Sequence, residues 1–451
     1  MTTLLQQRTP IPATDASAID DTSWREVEAF IHAHWNNTVR HTPDDSGTLL
    51  GLPFPYTVPC RDSTFQEMYY WDTYFASLGL LDSGHASLAV SNARNFFAQI
   101  ARHGFVPNGN RTFYTNRSQP PYLAALVQAI DVSEKQSQWS ECKHTGWTQD
   151  AVAALRTEHA FWTTRRATSC GLSRYGHNDD DDGLCEFYPV VAARLGMTQP
   201  PRELLPELSH ALAEAESGWD FTPRFEHRCE DFCPVDLNSL LHLHELYLSI
   251  NDNIGNRKFW RGRAMHRRQL IHDFLWNDER GGFFDYDHRH DRRGDSVSAA
   301  AFHPLWAGIA TPRQAARTVE RMLPLLEFPH GLATCAPPEP TCNGSKQKLR
   351  QWDFPNGWAC LQLIAYRGLA RYGYTTQAVR IAQKYLNVVS RGFEETGDLW
   401  EKYNVEDGTV SRINEAGYFS DTGDPAPAMM GWTAGVFIDA LAFLRKHRTL
   451  V

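Results

Sequence analysis

Apolar residues recur every three to four positions along most of this chain, the spacing that places them on one face of an α-helix. Period-two alternation, the pattern of a half-buried strand, is scarce, and its best case is residues 281–289. The periodicity therefore predicts an all-α protein, and the repeat is clearest in the last helix predicted. The predicted helices cover residues 24–37, 86–102, 150–168, 237–250, 256–276, 312–325, 358–372 and 376–390.

The predicted helices are separated by unusually long loops. Long loops in a compact domain usually carry function, so we expect a helical scaffold with functional loops on one face. Residues 1–22 are rich in Thr, Pro and Asp and are predicted to form a disordered leader. No later shift in composition marks a boundary, so residues 23–451 are predicted to form a single domain.

The composition is that of an ordinary globular protein, and it excludes several kinds of partner. Hydrophobic residues make up 42% of the 451 residues and charged residues 22%. A formal net charge of −9 gives no electrostatic reason to bind nucleic acid or an anionic membrane. No apolar run approaches the ~20 residues that span a bilayer, and we find no pattern of a secretory signal. Nine cysteines, an odd number, favour reduced thiols and a cytoplasmic location.

The two segments that most resemble metal sites are incomplete. His227, Cys229 and Cys233 lie close together, but no second Cys/His pair completes a tetrahedral zinc site at a usual spacing. Residues 178–183, NDDDDG, match the first half of a calcium loop, yet Pro189 stands where the bidentate Glu should be. A solvated loop is therefore favoured over a calcium site, and neither a metal nor a cofactor is predicted.

Five motifs combine Trp or Tyr with Asp, Glu, Asn, Gln or Arg. Aromatic faces can stack on sugar rings while charged or amide groups hold hydroxyls, so such motifs are typical of a carbohydrate site. A single Trp or Tyr is more often a core residue, and that alternative is weaker where the aromatic stands beside a polar residue in a Gly- or Pro-rich segment. The motifs are PFPYTVPCRDSTFQEMYYWDTYF (53–75), VPNGNRTFYTNRSQPP (106–121), AEAESGWDFTPRF (213–225), QWDFPNGWA (351–359) and LWEKYN (399–404).

At all five motifs, and in the same order, the sequence resembles glycoside hydrolase family 37, the trehalases. The resemblance extends over roughly residues 50–440. It implies an (α/α)6 toroid, a ring of six helix hairpins. Twelve helices of ~15 residues with long loops would use ~400 residues, so the length is compatible with this fold. Periodicity alone supports only the all-α class.

The resemblance implies two catalytic carboxylates. Asp220 of the third motif corresponds to the general acid and Glu401 of the fifth to the general base of an inverting glycosidase. In such enzymes the two carboxyl groups are about 6.5–9.5 Å apart, which leaves room for the attacking water. Trp219 and Phe221 give Asp220 an apolar setting that favours its protonated form, and the charge of Lys402 favours an ionised Glu401. Without the surrounding motifs, Asp220 would be interpreted as a helix-cap or turn residue, and Glu401 as one partner of a surface ion pair.

The resemblance also implies the residues that bind the sugar. They combine aromatic walls with groups that hold hydroxyls, and we expect most of them to surround one glucose. The implied contacts are Phe65, Tyr69, Trp71, Asp72, Asn108, Arg117, Gln119, Gly218, Gln351 and Trp352.

The sequence departs from the family on the side that binds the leaving group. Thr64 stands where the family has a substrate-contacting Arg, and Arg61 is the nearest replacement. The family's glycine-rich lid is absent, with Glu415 the closest candidate for its acid. A family Arg/Glu pair between the second and third motifs has no clear match, and Arg174 and Glu186 are weak substitutes.

Together these features predict an inverting hydrolase of a small α-glucoside, with trehalose the leading substrate. The first alternative is a related hydrolase of another small α-glucoside or α-mannoside, such as glucosylglycerate or mannosylglycerate. The second is an inactive sugar-binding module, which the presence of both carboxylates disfavours. The expected partner is a small sugar, with no nucleic acid or membrane. A monomer or a homodimer is expected, and the aglycone stays open.

Overall fold

A computed structural model describes most of the chain. The described residues are 21–62, 64–137, 146–252, 257–338, 350–411, 428 and 430–447. Nearly all of the predicted leader lies outside them, and the first helix begins at Asp21, two residues before the predicted start of the domain.

Helices dominate the described residues, as the periodicity predicts. Short 3-10 segments and one π-helical turn, Ile271–Leu275, connect several of them. The α-helices are α1 (Asp21–His34), α2 (Tyr70–Asp82), α3 (Ala86–His103), α4 (Leu123–Ser137), α5 (Trp147–Thr164), α6 (Asp181–Leu195), α7 (Leu205–Glu216), α8 (Val235–Asn251), α9 (Arg257–Leu270), α10 (His303–Trp306), α11 (Pro312–Arg321), α12 (Leu323–Leu326), α13 (Ala359–Arg371), α14 (Thr375–Thr396) and α15 (Gly431–His447).

The strands are two or three residues long and pair in antiparallel sheets of two or three strands. The predicted strand over 281–289 is two strands, β5 and β6, separated by two residues. The strands are β1 (Val39–Arg40), β2 (Tyr56–Thr57), β3 (Phe232–Cys233), β4 (Trp276–Asn277), β5 (Gly282–Phe283), β6 (Tyr286–Asp287), β7 (Arg292–Arg293), β8 (Glu327–Phe328), β9 (Gly331–Leu332), β10 (Asn356–Trp358) and β11 (Lys402–Asn404).

The helices form a closed double ring. In the inner ring α2 packs on α4, α4 on α8, α8 on α10, α10 on α13, α13 on α15, and α15 returns to α2. Outside it, α3 packs on α2 and α4, α5 on α4 and α8, α9 on α8, α14 on α13 and α15, and α1 on α14 and α15. Inner and outer helices alternate along the chain, which is the arrangement of an (α/α)6 toroid. The predicted fold class is therefore confirmed.

Local sequence signals explain where one helix begins and another ends. Helix α11 begins with a capping box, in which the side chains of Thr311 and Gln314 each accept a hydrogen bond from the other's backbone N–H, and Pro312 occupies its first turn. Helix α14 ends at Gly397, whose φ of +75° is the left-handed conformation that favours glycine. Each outer helix buries one stripe and exposes another, so its period is visible in the sequence.

All eight predicted helices are present, but the sequence analysis missed α2, α4, α6, α7, α10 and α15. Inner helices α2 and α15 are buried on nearly every side, from Tyr70 to Leu80 and from Gly431 to Leu441. A helix that is covered all round has no polar face, so it shows no amphipathic period. Among the described helices, none has the length and apolar content needed to cross a membrane.

The inner ring closes where α2 crosses α15 through two glycines. A Cβ on Gly79 would lie 2.6 Å from the Cα of Gly435, and a Cβ on Gly435 would lie 2.8 Å from the Cα of Ala76. Both distances are shorter than real contacts allow. The two backbones touch, and any larger residue would push the helices apart.

We therefore expect Gly435→Ala to lower the free energy of unfolding by ~1–3 kcal/mol or more, because the added methyl group overpacks a backbone contact. Gly262 is the matched control, since it is exposed in α9 and has nothing within 4 Å of an added Cβ. Gly262→Ala should instead raise stability by ~0.5–1 kcal/mol through helix propensity. Chemical denaturation of both variants measures the two effects, and equal values would contradict the proposed closure.

Candidate active site

A large cavity of about 1180 Å3 opens at the end of the ring where the inner helices begin. Helices α2, α13 and α15 each contribute a residue in or next to their first turn. The structure brings all twelve residues singled out in the sequence to this cavity: Phe65, Tyr69, Trp71, Asp72, Asn108, Arg117, Gln119, Gly218, Asp220, Gln351, Trp352 and Glu401.

The motifs are not confined to loops, contrary to our expectation. The first motif runs into α2, and the third begins inside the last turns of α7. The fourth and fifth motifs supply β10 and β11, which pair with each other. The sequence did not predict these elements, because the buried, aromatic-rich parts of each motif show no amphipathic period.

Pairing of β10 with β11 places Glu401 beside the fourth motif. Trp358 is opposite Lys402, the residue after Glu401. The Lys402 ammonium donates to Glu401 Oε2 at 2.8 Å and lies 5.1 Å from the centre of the Trp358 ring. Both charged groups are buried away from water, so the charge of each one neutralises the charge of the other.

Four tryptophans of the cavity wall form a rigid aromatic cluster. Trp352 and Trp358 stack with their ring centres 3.8 Å apart and their planes 1° apart. Trp71 contacts Trp352 at 5.4 Å, and Trp432 meets Trp71 edge-on at 5.7 Å. Trp219 continues the cluster behind the wall, stacked on Trp352 at 5.4 Å. Such a surface offers a flat apolar face to a sugar ring without ordering flexible side chains.

Asp220 lies in a turn with unusual backbone geometry. Gly218 has φ +73° and Phe221 has φ +60°. A Cβ on Gly218 would lie 2.8 Å from the indole of Trp71, so only glycine fits between α2 and this turn. Close packing on Trp71 therefore fixes where the third motif meets the first.

Burial of Asp72 changes its chemistry. The carboxyl group lies in the first turn of α2, almost completely buried, and burial raises its pKa to about 8, with the charge of Glu401 adding to the rise. At neutral pH this group is protonated. It can then both donate to and accept from a sugar hydroxyl.

The second motif is attached to the start of α2 by hydrogen bonds. Gln119 Oε1 accepts from the Trp71 backbone N–H at 3.2 Å, and the Asn108 carbonyl accepts from the Tyr70 N–H at 3.2 Å. In the same loop, Arg117 Nη1 donates to Asn116 Oδ1 at 2.9 Å. These bonds fix the loop to the start of α2, and Asn108 and Arg117 line the cavity from this loop.

Sequence reasoning missed two residues of the tryptophan wall and most of a second wall of the cavity. Trp358 lay inside the fourth motif and could have been proposed, whereas Trp432 lies in no motif. Helices α6 and α7 were not predicted, so their contributions gave no signal. The other residues that were missed are Thr112, Phe113, Tyr114, Thr115, Asn116, Asn178, Asp179, Gly183, Phe187, Val190, Val191, Met197, Glu207, Ala211, Glu214, Ala215, Phe221, His227 and Arg350.

Two expected replacements on the leaving-group side are wrong. Arg61 does not line the cavity, because it pairs with Asp398 at 2.5 Å. Arg174 pairs with Glu230 at 2.5 Å, also away from the cavity. Thr64 does not line it either, whereas Glu186 does. In the described part of the chain the cavity's arginines are Arg117 and Arg350.

Arg350 is held at the cavity by the segment that follows α7. It donates to the Thr222 carbonyl at 3.2 Å and contacts the His227 ring. Glu415, the candidate acid for a lid, lies outside the described residues.

The acidic segment 178–183 makes contacts within the protein. Asn178 Oδ1 accepts from Arg166 at 3.2 Å, and Asp179 Oδ2 accepts from Asn116 at 2.7 Å. Asp180 caps α6 by accepting from the Gly183 N–H at 3.0 Å. These side chains point to different partners, which favours the interpretation as a structural loop.

One other group of possible metal ligands occurs among the described residues. Ligand atoms of Asp231, Asp287 and His290 lie within 4.8 Å of one another. Arg228 donates to both aspartates at 2.8 Å, so an arginine already supplies positive charge there. Cys229 and Cys233 are separate from this group, and neither joins His227 in a cluster of possible ligands in the described chain.

Comparison with known proteins identifies the family. The family model described as Trehalase matches residues 6–445. The cytosolic neutral trehalase of Saccharomyces cerevisiae is 32% identical over 89% of this chain and 58% of its own length. The periplasmic trehalase of Xanthomonas oryzae pv. oryzae is 34% identical over 95% of this chain and 75% of its own length. This chain spans about three fifths of the yeast relative.

Solved structures agree with this result. The neutral trehalase Nth1 of Saccharomyces cerevisiae superimposes with a TM-score of 0.72 and 28% identity, covering 93% of this chain and 80% of that one. A GH63 mannosylglycerate hydrolase from Thermus thermophilus, solved with glucose, has a TM-score of 0.64 at 16% identity, covers 93% of this chain and 100% of that one, and shows a shared fold. The chain belongs to the trehalase family.

Proposed function

We propose that this protein is an inverting glycoside hydrolase that cleaves α,α-trehalose into two glucose molecules. The observation that carries the proposal is the meeting of Asp220 and Glu401 at one cavity, although they are 181 positions apart in the chain (401 − 220). A tryptophan wall between their motifs offers a surface for the sugar ring.

Asp220 acts as the general acid in this proposal. It gives its proton to the glycosidic oxygen, so the leaving glucose departs as a neutral alcohol. Glu401 acts as the general base and takes a proton from a water that attacks the anomeric carbon from the opposite face. Lys402 holds the Glu401 carboxylate in one orientation through Oε2.

The glycone is bound by aromatic and polar residues of the first, second and fourth motifs. Trp71 and Trp352 stack against the ring, and a protonated Asp72 exchanges hydrogen bonds with hydroxyls. Gln351 is almost completely buried at the cavity, where its amide can bind a further hydroxyl. A site of this kind rejects a sugar that leaves its buried polar groups unpaired.

A second candidate substrate is another small α-glucoside or α-mannoside, such as glucosylglycerate or mannosylglycerate. The observation in its favour is the wall built by Arg350 and His227, where a cationic side chain could meet a carboxylate on the aglycone. An inactive sugar-binding module is disfavoured, because both proposed catalytic carboxylates face the cavity.

We propose a cytoplasmic location. All seven cysteines of the described residues are free thiols, which suits a reducing compartment. Relatives include a protein named cytosolic in yeast and proteins named periplasmic in bacteria. A monomer or a homodimer is the proposed assembly.

Asp220→Asn and Glu401→Gln test the two proposed roles. Each should lower kcat by about 100- to 10,000-fold, because each variant keeps the side chain's shape and removes a proton transfer. Glucose release from trehalose measures the loss, and the melting temperature checks folding. Activity near that of the wild type in either variant would remove that residue from the mechanism.

Stereochemistry tests the inverting mechanism. Water that attacks opposite the leaving group should release one β-glucose and one α-glucose from each trehalose. Proton NMR in the first minutes, before mutarotation, separates the two anomers. Release of α-glucose alone would indicate a covalent intermediate and a retaining enzyme.

Arginine substitutions test which side chain reaches the leaving group. Arg350→Ala should raise KM for trehalose by about 10- to 100-fold, the loss of a charge-assisted hydrogen bond. Arg61→Ala and Arg174→Ala are matched controls and should leave KM unchanged, because both side chains are paired outside the cavity.

The same variants should be assayed with glucosylglycerate and mannosylglycerate. Trehalose should have the highest kcat/KM of the wild-type enzyme. If trehalose is untouched while an anionic glycoside is cleaved well, trehalose is not the substrate, although the family assignment is unaffected.

A further inference from the structure

Glu214 is a third carboxylic acid in the cavity wall, six residues before Asp220. It lies in the last turns of α7 and is 7% exposed. One of its oxygens, Oε1, accepts a hydrogen bond from the backbone N–H of Thr222 at 2.9 Å. The bond spans the turn that contains Asp220, because it joins the helix before the turn to the residue two positions after the aspartate.

That turn needs external support. Phe221, directly after Asp220, has φ +60°, a conformation that costs a residue with a side chain about 1 kcal/mol or more. The Phe221 carbonyl accepts from the Trp352 N–H at 3.2 Å, which fixes the far side of the turn to the fourth motif. The Glu214 carboxyl fixes the near side. Without it, the strained segment could relax and move the Asp220 side chain.

We propose that Glu214 is a positioning residue for Asp220, because its carboxyl group holds the turn that carries the acid. The inference rests on the proposed role of Asp220 as general acid. It gives Glu214 a role in catalysis without contact between Glu214 and the reacting atoms.

The protonation state of Glu214 suits this role. Burial raises its pKa to about 8, and the charge of Asp220 adds to the rise, while the Thr222 hydrogen bond and the charge of Arg350 oppose it. At neutral pH the group is protonated, so its carbonyl oxygen accepts from Thr222 without placing a charge in the wall.

Two substitutions test the hydrogen bond to Thr222. Glu214→Gln keeps an oxygen that can accept from Thr222 and has the shape of the protonated acid, so it should lose much less kcat on trehalose than Glu214→Ala. Glu214→Ala removes the acceptor, and kcat should fall by about 10- to 100-fold with little change in KM, since misplacing a catalytic group by ~1 Å has a cost of this size.

A substrate that needs no acid distinguishes positioning of Asp220 from general damage. Fluoride leaves α-glucosyl fluoride as an anion, without taking a proton. Glu214→Ala should therefore lose much less of its kcat on α-glucosyl fluoride than on trehalose. Equal losses on the two substrates would overturn the inference, as would a kcat of Glu214→Gln on trehalose as low as that of Glu214→Ala.

Glu158→Gln is the matched control. Glu158 is buried, its pKa is also raised to about 8 by burial, and it bonds Tyr70 away from the cavity. Its substitution should leave the ratio of kcat on trehalose to kcat on α-glucosyl fluoride unchanged, even if the melting temperature falls. If Asp220→Asn is fully active, the acid assignment itself fails. If Asp220→Asn is inactive while both Glu214 variants match the wild type on trehalose, only the present inference fails.

Discussion

The ring can close only if the first and the last inner helix touch directly. Helices α2 and α15 cross backbone to backbone at Gly79 and Gly435, which closes the ring. Trp71 lies at the start of α2 and Trp432 at the start of α15, so the same contact brings two walls of the cavity together. A wider crossing would open the ring and separate these two indoles. The packing of these two helices therefore also sets the geometry of the cavity.

Buried charges are compensated wherever they approach the cavity. Lys402 neutralises Glu401, and Arg224 bonds both Asp236 and Asp285 directly behind the turn of Asp220. Removing one partner of such a group leaves an uncompensated charge in an apolar interior, so these contacts specify position more than they add stability. Asp72 and Glu214 are exceptions, because burial raises their pKa values to about 8 and leaves them protonated at neutral pH. The cavity therefore contains carboxyl groups with different tasks, separated by their surroundings.

The two halves of the cavity have different origins. The tryptophan wall is built from inner-ring elements and from the closely packed β10–β11 pair. The second wall comes from α6 and α7, which lie between α5 and α8 in the chain, and from the segment that follows α7. Arg350 connects the two halves through Thr222. In the proposed function the second wall meets the leaving group, so substitutions there should change the preferred aglycone while the ring and the tryptophan wall stay unchanged.

Hydrophobic periodicity was sufficient to predict the all-α class and eight of the helices. The resemblance to the trehalases supplied the toroid and the twelve predicted residues that line one cavity. Other features depend on tertiary contacts. Helices α2 and α15 show no period because the ring covers them on every side. Arg61 and Arg174 were expected near the leaving group, but their nearest carboxylates, Asp398 and Glu230, hold them elsewhere. Residues this far apart in sequence are brought together by packing, and no local sequence pattern predicts which of them will pair.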